Sequence, residues 1–329
     1  MSALAPTLQA FFTDRLASQK GASPNTVTGY RDSFRLLLRF ASKRTRKKPC
    51  ELDIADLDAP LVAAFLEHLE HDRHNSVRTR NNRLAAIHSL FTYAALRHPE
   101  HAASVQRVLA IPAKRHERNL VTYLTDAELT ALLAACGTKT WTGRRDHAML
   151  LLAAQTGLRV SELTGLSIAD VALGTGAHVH CVGKGRKERR TPLLPLTRAA
   201  LRGWIAERQG AAADPLFPTS TGRRLSRDAV EHRVAHYAAK ASISCPSLRS
   251  KHVTAHTLRH TAAMRLLEAG NDITVIALWL GHEQVTTANI YIHADMSHKE
   301  RAIARIQPPN TKPGRYRPAD TLLAFLEAL

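Results

Sequence analysis

Cysteine is scarce in this 329-residue chain, and acid is in short supply. The four cysteines, Cys50, Cys136, Cys181 and Cys245, lie far apart and form no CxxC pair. That spacing argues against a zinc ribbon or a dense disulfide framework and fits a reducing, cytoplasmic setting. No stretch approaches the roughly 20 consecutive apolar residues that a membrane-spanning helix needs. The opening MSALAPTLQAFF lacks the basic and apolar regions of a secretory signal. Against 28 Asp and Glu stand 46 Lys and Arg, giving a formal net charge of +18 and a pI near 10.3. Such an excess attracts polyanions, with nucleic acid the first candidate. Both halves of the chain are basic, which favours two lobes gripping one polyanion over a neutral domain with a basic tail.

The length suits about two domains. Apolar residues recur at helical spacing over residues 7–20 and 25–43, the latter capped by Asn25 or Thr26, and again over APLVAAFLEHLEHD and SVRTRNNRLAAIHSLFTYAALRH. Residues 1–110 therefore read as a compact helical domain. Two basic features decorate it. The run Lys43, Arg44, Arg46, Lys47, Lys48 is either a solvated loop or a phosphate contact. Arg78, Arg80 and Arg83 open the fourth helix, where free amides also favour anions. Residues 111–123 mix Pro and charge without a period and read as a linker. A second domain spans 124–308, opening on a capping box formed by Thr125 and Glu128. Within it a buried helix breaks at Gly157, AHVHCVG and RRTPLLP alternate as paired strands around a KGRKE tip, and helices resume to residue 293. The fold class is thus mainly α with a small antiparallel β-sheet, as a two-domain clamp. The last segment, 309–329, carries Leu322, Leu323, Leu326 and Leu329 on one face of a helix too short to stand alone in water, so it needs a surface to dock on.

Four motifs could carry chemistry. His256 and Arg259, three apart in TAHTLRHTAAM, share a helix face, where a guanidinium can bond two phosphate oxygens and an imidazole can move a proton. Any basic helix can contain such a pair, so alone it decides nothing. Arg159 follows a glycine break in TGLRVSEL with Glu162 three residues on, which is either an ordinary salt-bridged helix start or an anion clamp held by a carboxylate. Lys184 sits between Gly183 and Gly185 on the hairpin, beside Arg186 and Lys187, able to reach into a groove or merely to brush phosphates. His282 stands at a helix break in LWLGHEQVTTANIYIHA, nine residues before Tyr291, one of only six tyrosines. His282, His293 and His298 could suggest zinc, but no carboxylate or thiolate lies at ligand spacing among them. No metal or other cofactor is expected.

Taken together, Arg159, Lys184, His256, Arg259, His282 and Tyr291 occur in the order and local sequence of the tyrosine recombinases, also called the phage integrase family. TGLRVSEL, GKGRKERRTPL, HTLRHTAA and LGHEQVTTANIY closely resemble the stretches of its Xer-like bacterial members. SPNTVTGYRDSFRLLLRFA and RTRNNRLAAIHSLFTYA look like their helical core-binding domain. The resemblance spans roughly residues 8–306. It implies metal-free phosphoryl transfer in double-stranded DNA. Tyr291 would attack a phosphate and form a 3′-phosphotyrosyl link, with Arg159 and Arg259 clamping the non-bridging oxygens. His256 would accept from the tyrosine, His282 would hold another phosphate oxygen, Lys184 would protonate the leaving 5′-oxygen and Glu162 would orient Arg159. It also implies a homo-tetramer on two recombination sites, with the C-terminal helix passed to a neighbouring protomer. A type IB-like topoisomerase and a DNA-binding regulator without catalysis are the alternatives. The tail beyond residue 306 favours a mobile-element enzyme, and the early start of the helical domain predicts no separate arm-binding domain before it.

Overall fold

The computed structural model describes residues 4–115, 121–183, 187–281, 284 and 288–294. The chain divides into two compact units, Met1–Arg118 and Asn119–Leu329.

The first unit is helical. Helix α1 (Leu4–Ala10) continues through wider π-helical turns over Phe11–Gln19. It is followed by α2 (Pro24–Thr45), α3 (Ala59–His71), α4 (Val77–Ala95) and α5 (Ala102–Leu109). Local chemistry fixes the starts. Ser23, Asp58 and Ser76 each accept a hydrogen bond from the backbone N–H three residues on, satisfying an amide that the helix cannot. The expected cap of α2, Asn25 or Thr26, is one turn too late: Pro24 occupies the first helical position, where its missing N–H costs nothing, so Ser23 caps instead. The core gathers Leu37, Phe65, Leu69, Ile87 and Phe91 around Phe11, whose ring stacks on Tyr30 and meets Phe34 edge-on. Each such side chain removed from water contributes about 1.5–3 kcal/mol.

The supposed linker is tied down at both ends. Arg80 Nη1 donates to the Pro112 carbonyl, Asn81 exchanges two bonds with the Lys114 backbone, and Lys114 pairs with Glu70, so residues 112–114 belong to the first unit. On the other side Leu124 N donates to Thr261 Oγ1 and Lys251 Nζ to the Tyr123 carbonyl.

In the second unit the elements are α6 (Asp126–Cys136), α7 (Trp141–Thr156), α8 (Val160–Gly165), β1 (Val171–Ala172), β2 (His178–Val182), β3 (Glu188–Pro192), α9 (Pro195–Arg208), α10 (Arg227–Ala241), α11 (Ala255–Glu268), α12 (Ile273–Leu280) and α13 (Asn289–Ala294). Helix α7 is buried on nearly every side, as its unbroken run Met149–Ala154 requires, and packs against α6, α9 and α11. The strands form one antiparallel sheet in the order β1-β2-β3, with Val179 opposite Thr191 and Cys181 opposite Arg189. The second strand was expected to run on through Pro195. It stops at Pro192, because Pro195 pre-sets the backbone angle of a helix start and α9 begins there. Among the described residues no helix is long and apolar enough to cross a membrane.

A polar knot is set into this core. Asp146, fully buried, accepts from Arg145 Nε at 2.8 Å and from the Tyr237 hydroxyl at 2.9 Å, with Arg233 Nε at 3.4 Å. Arg145 also donates to the Pro218 carbonyl and lies over the Trp141 ring. Removing the carboxylate would strand a buried guanidinium. Asp146→Ala should therefore destabilise the second unit by about 3–5 kcal/mol in urea unfolding, whereas a change under 1 kcal/mol would show the knot to be dispensable.

Candidate active site

Two left-handed glycines build the site. Gly157 ends α7 at φ +65° and Gly281 ends α12 at φ +65°, a conformation that residues with a Cβ adopt only at a cost. Space forbids a side chain as well. A Cβ at Gly157 would come within 2.5 Å of Leu280 Cδ2, and one at Gly281 within 2.6 Å of Arg189 Nη1. The chain thus turns sharply at two points that touch each other's surroundings, and the backbone carbonyls exposed at those turns face inward.

The arginines occupy those carbonyls. Arg259, on α11 and only 3% exposed, donates from Nη1 to the Gly157 carbonyl at 2.6 Å and from Nη2 to the Leu280 carbonyl at 2.8 Å. Arg159, just before α8, donates from Nη2 to the Gly281 carbonyl at 3.1 Å and from Nη1 to Glu162 Oε1 at 2.8 Å. Carbonyls at a helix C-terminus carry partial negative charge, so they suit cations. Burial and then the like charge of Arg159 lower the Arg259 pKa to about 10, which still leaves it charged at neutral pH. Burial alone would raise the Glu162 carboxyl; its bonds to Arg189 and to the Arg159 amide, with their charges, outweigh that and hold it below the ordinary carboxylate value.

Tyr291, on α13, is 1% exposed and packs with Met264, Leu267 and Leu280. Its hydroxyl lies 3.1 Å from His260 Nδ1. Burial pushes its pKa up to about 12 although the charges of Arg259 and Arg159 pull the other way. In this state it is a protonated phenol.

The site residues expected from sequence fare differently. Arg159, Glu162, His256, Arg259 and Tyr291 come together from α8, α11 and α13, segments as much as 132 residues apart in the numbering. Lys184, Arg186 and His282 lie outside the described residues, as do His298 and the 309–329 segment. His256 was expected to meet the tyrosine; it stacks edge-on against His260, centroids 4.2 Å apart, and His260, one turn further along α11, faces the hydroxyl. Sequence reasoning missed His260 and also Arg189, whose guanidinium grips Glu162. The signal for His260 was its place four residues after His256, on the same helix face.

Among the basic residues assigned to DNA, Lys43, Arg44, Arg46, Lys47, Lys48, Arg78 and Lys187 are exposed. Lys47 is also paired with Asp56. Arg80 is buried and spends Nη1 on Asn81 and Pro112, so its side chain supports the unit's interior. Arg83 is half-buried, its Nε and Nη1 without a hydrogen-bond partner among the described residues.

Comparison with known proteins decides the family. Residues 122–298 match the model of the phage integrase family, and residues 10–98 match that of the phage integrase N-terminal SAM-like domain. The chain belongs to the phage integrase family. These are the tyrosine recombinases, enzymes that cleave and rejoin DNA. The chain is 54% identical over 328 residues to the putative integrase/recombinase y4rC of Sinorhizobium fredii, covering 100% of this chain and 99% of that one. It is 32% identical over 297 residues to the tyrosine recombinase XerC of Xanthomonas campestris, covering 90% and 87%. Its fold is similar to XerH recombinase bound to difH DNA after cleavage (TM-score 0.68, 23% identity, 87% and 81% covered). It is also similar to the Tn1549 transposon integrase in complex with transposon right-end DNA (TM-score 0.69, 19% identity, 91% and 99% covered). The helical unit with the mainly α, small-sheet unit is the fold expected of this family.

The site has a titration signature. Partial burial, then the charge of Arg259, lowers the His256 pKa below its ordinary 6.5. A depressed folded-state value means that the contribution of this group to stability is present above about pH 6.5 and lost as pH falls through the folded pKa. NMR titration of the imidazole should give a midpoint below that of a free histidine; a midpoint above 6.5 would contradict the electrostatics described.

Proposed function

We propose that this recombinase attacks DNA with Tyr291 and neutralises the scissile phosphate with Arg159 and Arg259. The observation that carries the reading is the fixed pair of guanidiniums beside a tyrosine hydroxyl. Phosphoryl transfer puts charge on the non-bridging oxygens, and donors already held in place stabilise that charge without reorganising. The phenolic oxygen forms a bond to phosphorus, the bond to the 5′-oxygen breaks, and a 3′-phosphotyrosyl link remains. A phenolate is a good leaving group, so rejoining is the same step reversed and needs no external energy source. The His256–His260 pair accepts the phenol proton; His256, neutral near pH 7, has that capacity. Lys184 delivers a proton to the leaving 5′-oxygen and His282 holds a phosphate oxygen. Glu162 fixes the aim of Arg159.

For attack the tyrosine must leave the buried position in which its pKa is raised. DNA binding supplies the difference by favouring the conformation in which the hydroxyl faces a phosphate held by Arg159 and Arg259.

The substrate surface of the first unit is basic. Arg39, Lys43, Arg44, Arg46 and Arg73 line an open groove of about 890 Å³ at the end of α2. Arg83, whose pKa burial and the like charge of Arg73 lower, keeps its Nε and Nη1 enclosed and adds positive charge to this surface. Phosphate contacts of this kind give affinity and register, with sequence read elsewhere.

The working assembly is a homo-tetramer on two sites, a reading supported by the sequence spacing of Leu322, Leu323, Leu326 and Leu329 in the C-terminal segment. The biological role is movement of a mobile element. Supporting this, the match to the putative integrase/recombinase y4rC takes in the whole chain with its tail, whereas the XerC match covers 90% of it.

Tyr291→Phe should form no covalent adduct on a nicked duplex, bind a single site as the wild type does, and still gather four copies on two-site DNA in sedimentation. A covalent adduct from this variant, or assembly stopping at two copies, would overturn the assignment of the nucleophile or of the assembly respectively.

A further inference from the structure

The hairpin strand β3 places one charged residue on its buried face. Pairing opposite Cys181, and two residues before Thr191, Arg189 shares the inward side of the sheet with Val179 and Cys181. Its side chain is 12% exposed and that of Glu162 4%. Arg189 Nη1 donates to Glu162 Oε1 at 3.1 Å and Nη2 to Oε2 at 2.7 Å, a two-pronged grip on both oxygens. The same oxygens serve Arg159: Oε1 accepts from its Nη1 and Oε2 from its backbone amide, each at 2.8 Å. Among the described residues the Glu162 carboxylate bonds to nothing else.

Arg189 touches the second support of Arg159 as well. Its guanidinium fills the space that a Cβ on Gly281 would need, and the Gly281 carbonyl is the acceptor for Arg159 Nη2. Gly183, at the end of β2, closes the arrangement from the hairpin side, since a Cβ there would come within 3.2 Å of Glu162 Oε1. Arg159 gives each Glu162 oxygen one bond, one of them through its own long side chain. The Arg189 fork adds a second bond to each oxygen, so the soft terminal torsion of Glu162 is held from two residues.

We propose that Arg189 is a positioning residue of the recombinase: it locks Glu162 as the fixed stop against which Arg159 is aimed at the scissile phosphate. This rests on the reading in which Arg159 meets that phosphate. A third guanidinium in a site already crowded with positive charge is costly, and filling the volume would require only an apolar chain. The fork is what a planar guanidinium adds over an ammonium. Among the attractions that hold the Glu162 carboxyl low against burial, the bond from Arg189 is the largest.

The test is single-turnover adduct formation on a nicked duplex by wild type, Arg189→Gln and Arg189→Lys, with DNA affinity and thermal midpoint measured alongside. Each protein is run on an ordinary scissile phosphate, on both diastereomers of a neutral methylphosphonate, and on a 5′-bridging phosphorothiolate, whose leaving group needs no proton. Misaiming by an ångström costs about 10²-fold, so both variants should form adduct about 10²-fold more slowly on phosphate at unchanged affinity. On one methylphosphonate diastereomer, where there is less charge to neutralise, the deficit should shrink to a few-fold. Three results would overturn the proposal: full activity in the Lys variant, an equal deficit on every substrate, or rescue by the phosphorothiolate alone, which would tie Arg189 to proton delivery. Should the Gln variant not fold, the Lys variant carries the same comparison. A wild type that forms no adduct would instead refute the functional reading itself.

Discussion

Two like-charged guanidiniums, Arg159 and Arg259, are held in one small space by backbone carbonyls, and the second unit is organised around that constraint. Left to themselves they would repel, and burying either away from water costs several kcal/mol. The carbonyls of Gly157, Leu280 and Gly281 offset this by presenting the negative ends of two helices, and Glu162 supplies a full countercharge in direct contact with Arg159. Each carbonyl is available because its helix stops at a left-handed glycine. The glycines therefore act through geometry: they aim backbone acceptors at the two arginines.

The same arrangement explains why the proposed nucleophile, Tyr291, sits in the core. With no DNA present, the Tyr291 hydroxyl is tied to His260 and its ring fills an apolar pocket between α11 and α12. Burial keeps this phenol protonated, its less nucleophilic form. Frame and proposed nucleophile are thus separated in space: the Asp146 knot and the buried α7 provide the rigid frame, and Tyr291 is carried by the short helix α13.

Much of this was legible in the sequence, and the failures are instructive. The helices followed from apolar periodicity because each buries one stripe, and the breaks at Gly157 and Gly281 followed from the special backbone angles only glycine adopts freely. Arg159, Glu162, Arg259 and Tyr291 were found through a resemblance spread over several motifs, since no single motif was specific. What spacing could not supply was the partner across the fold. His256 and His260 lie on one helix face, and only the packing of α13 decides which meets the tyrosine. Arg189 looked like one more basic residue of a hairpin until register turned it inward. Arg80 looked like a phosphate ligand until residues 112–114 folded back over it. Helix α9 was hidden because TPLLP alternates like a strand, while Pro195 is equally suited to the first turn of a helix.

The most direct test of the central claim is a crystal structure of the protein with nicked DNA and orthovanadate, which mimics the five-coordinate phosphorus. The account predicts Tyr291 Oη as an apical ligand and Arg159 and Arg259 donating to equatorial oxygens. Both arginines should keep their bonds to the carbonyls of residues 157, 280 and 281. An apical ligand from another side chain, or either guanidinium released from its carbonyl and turned away from the vanadate, would contradict it.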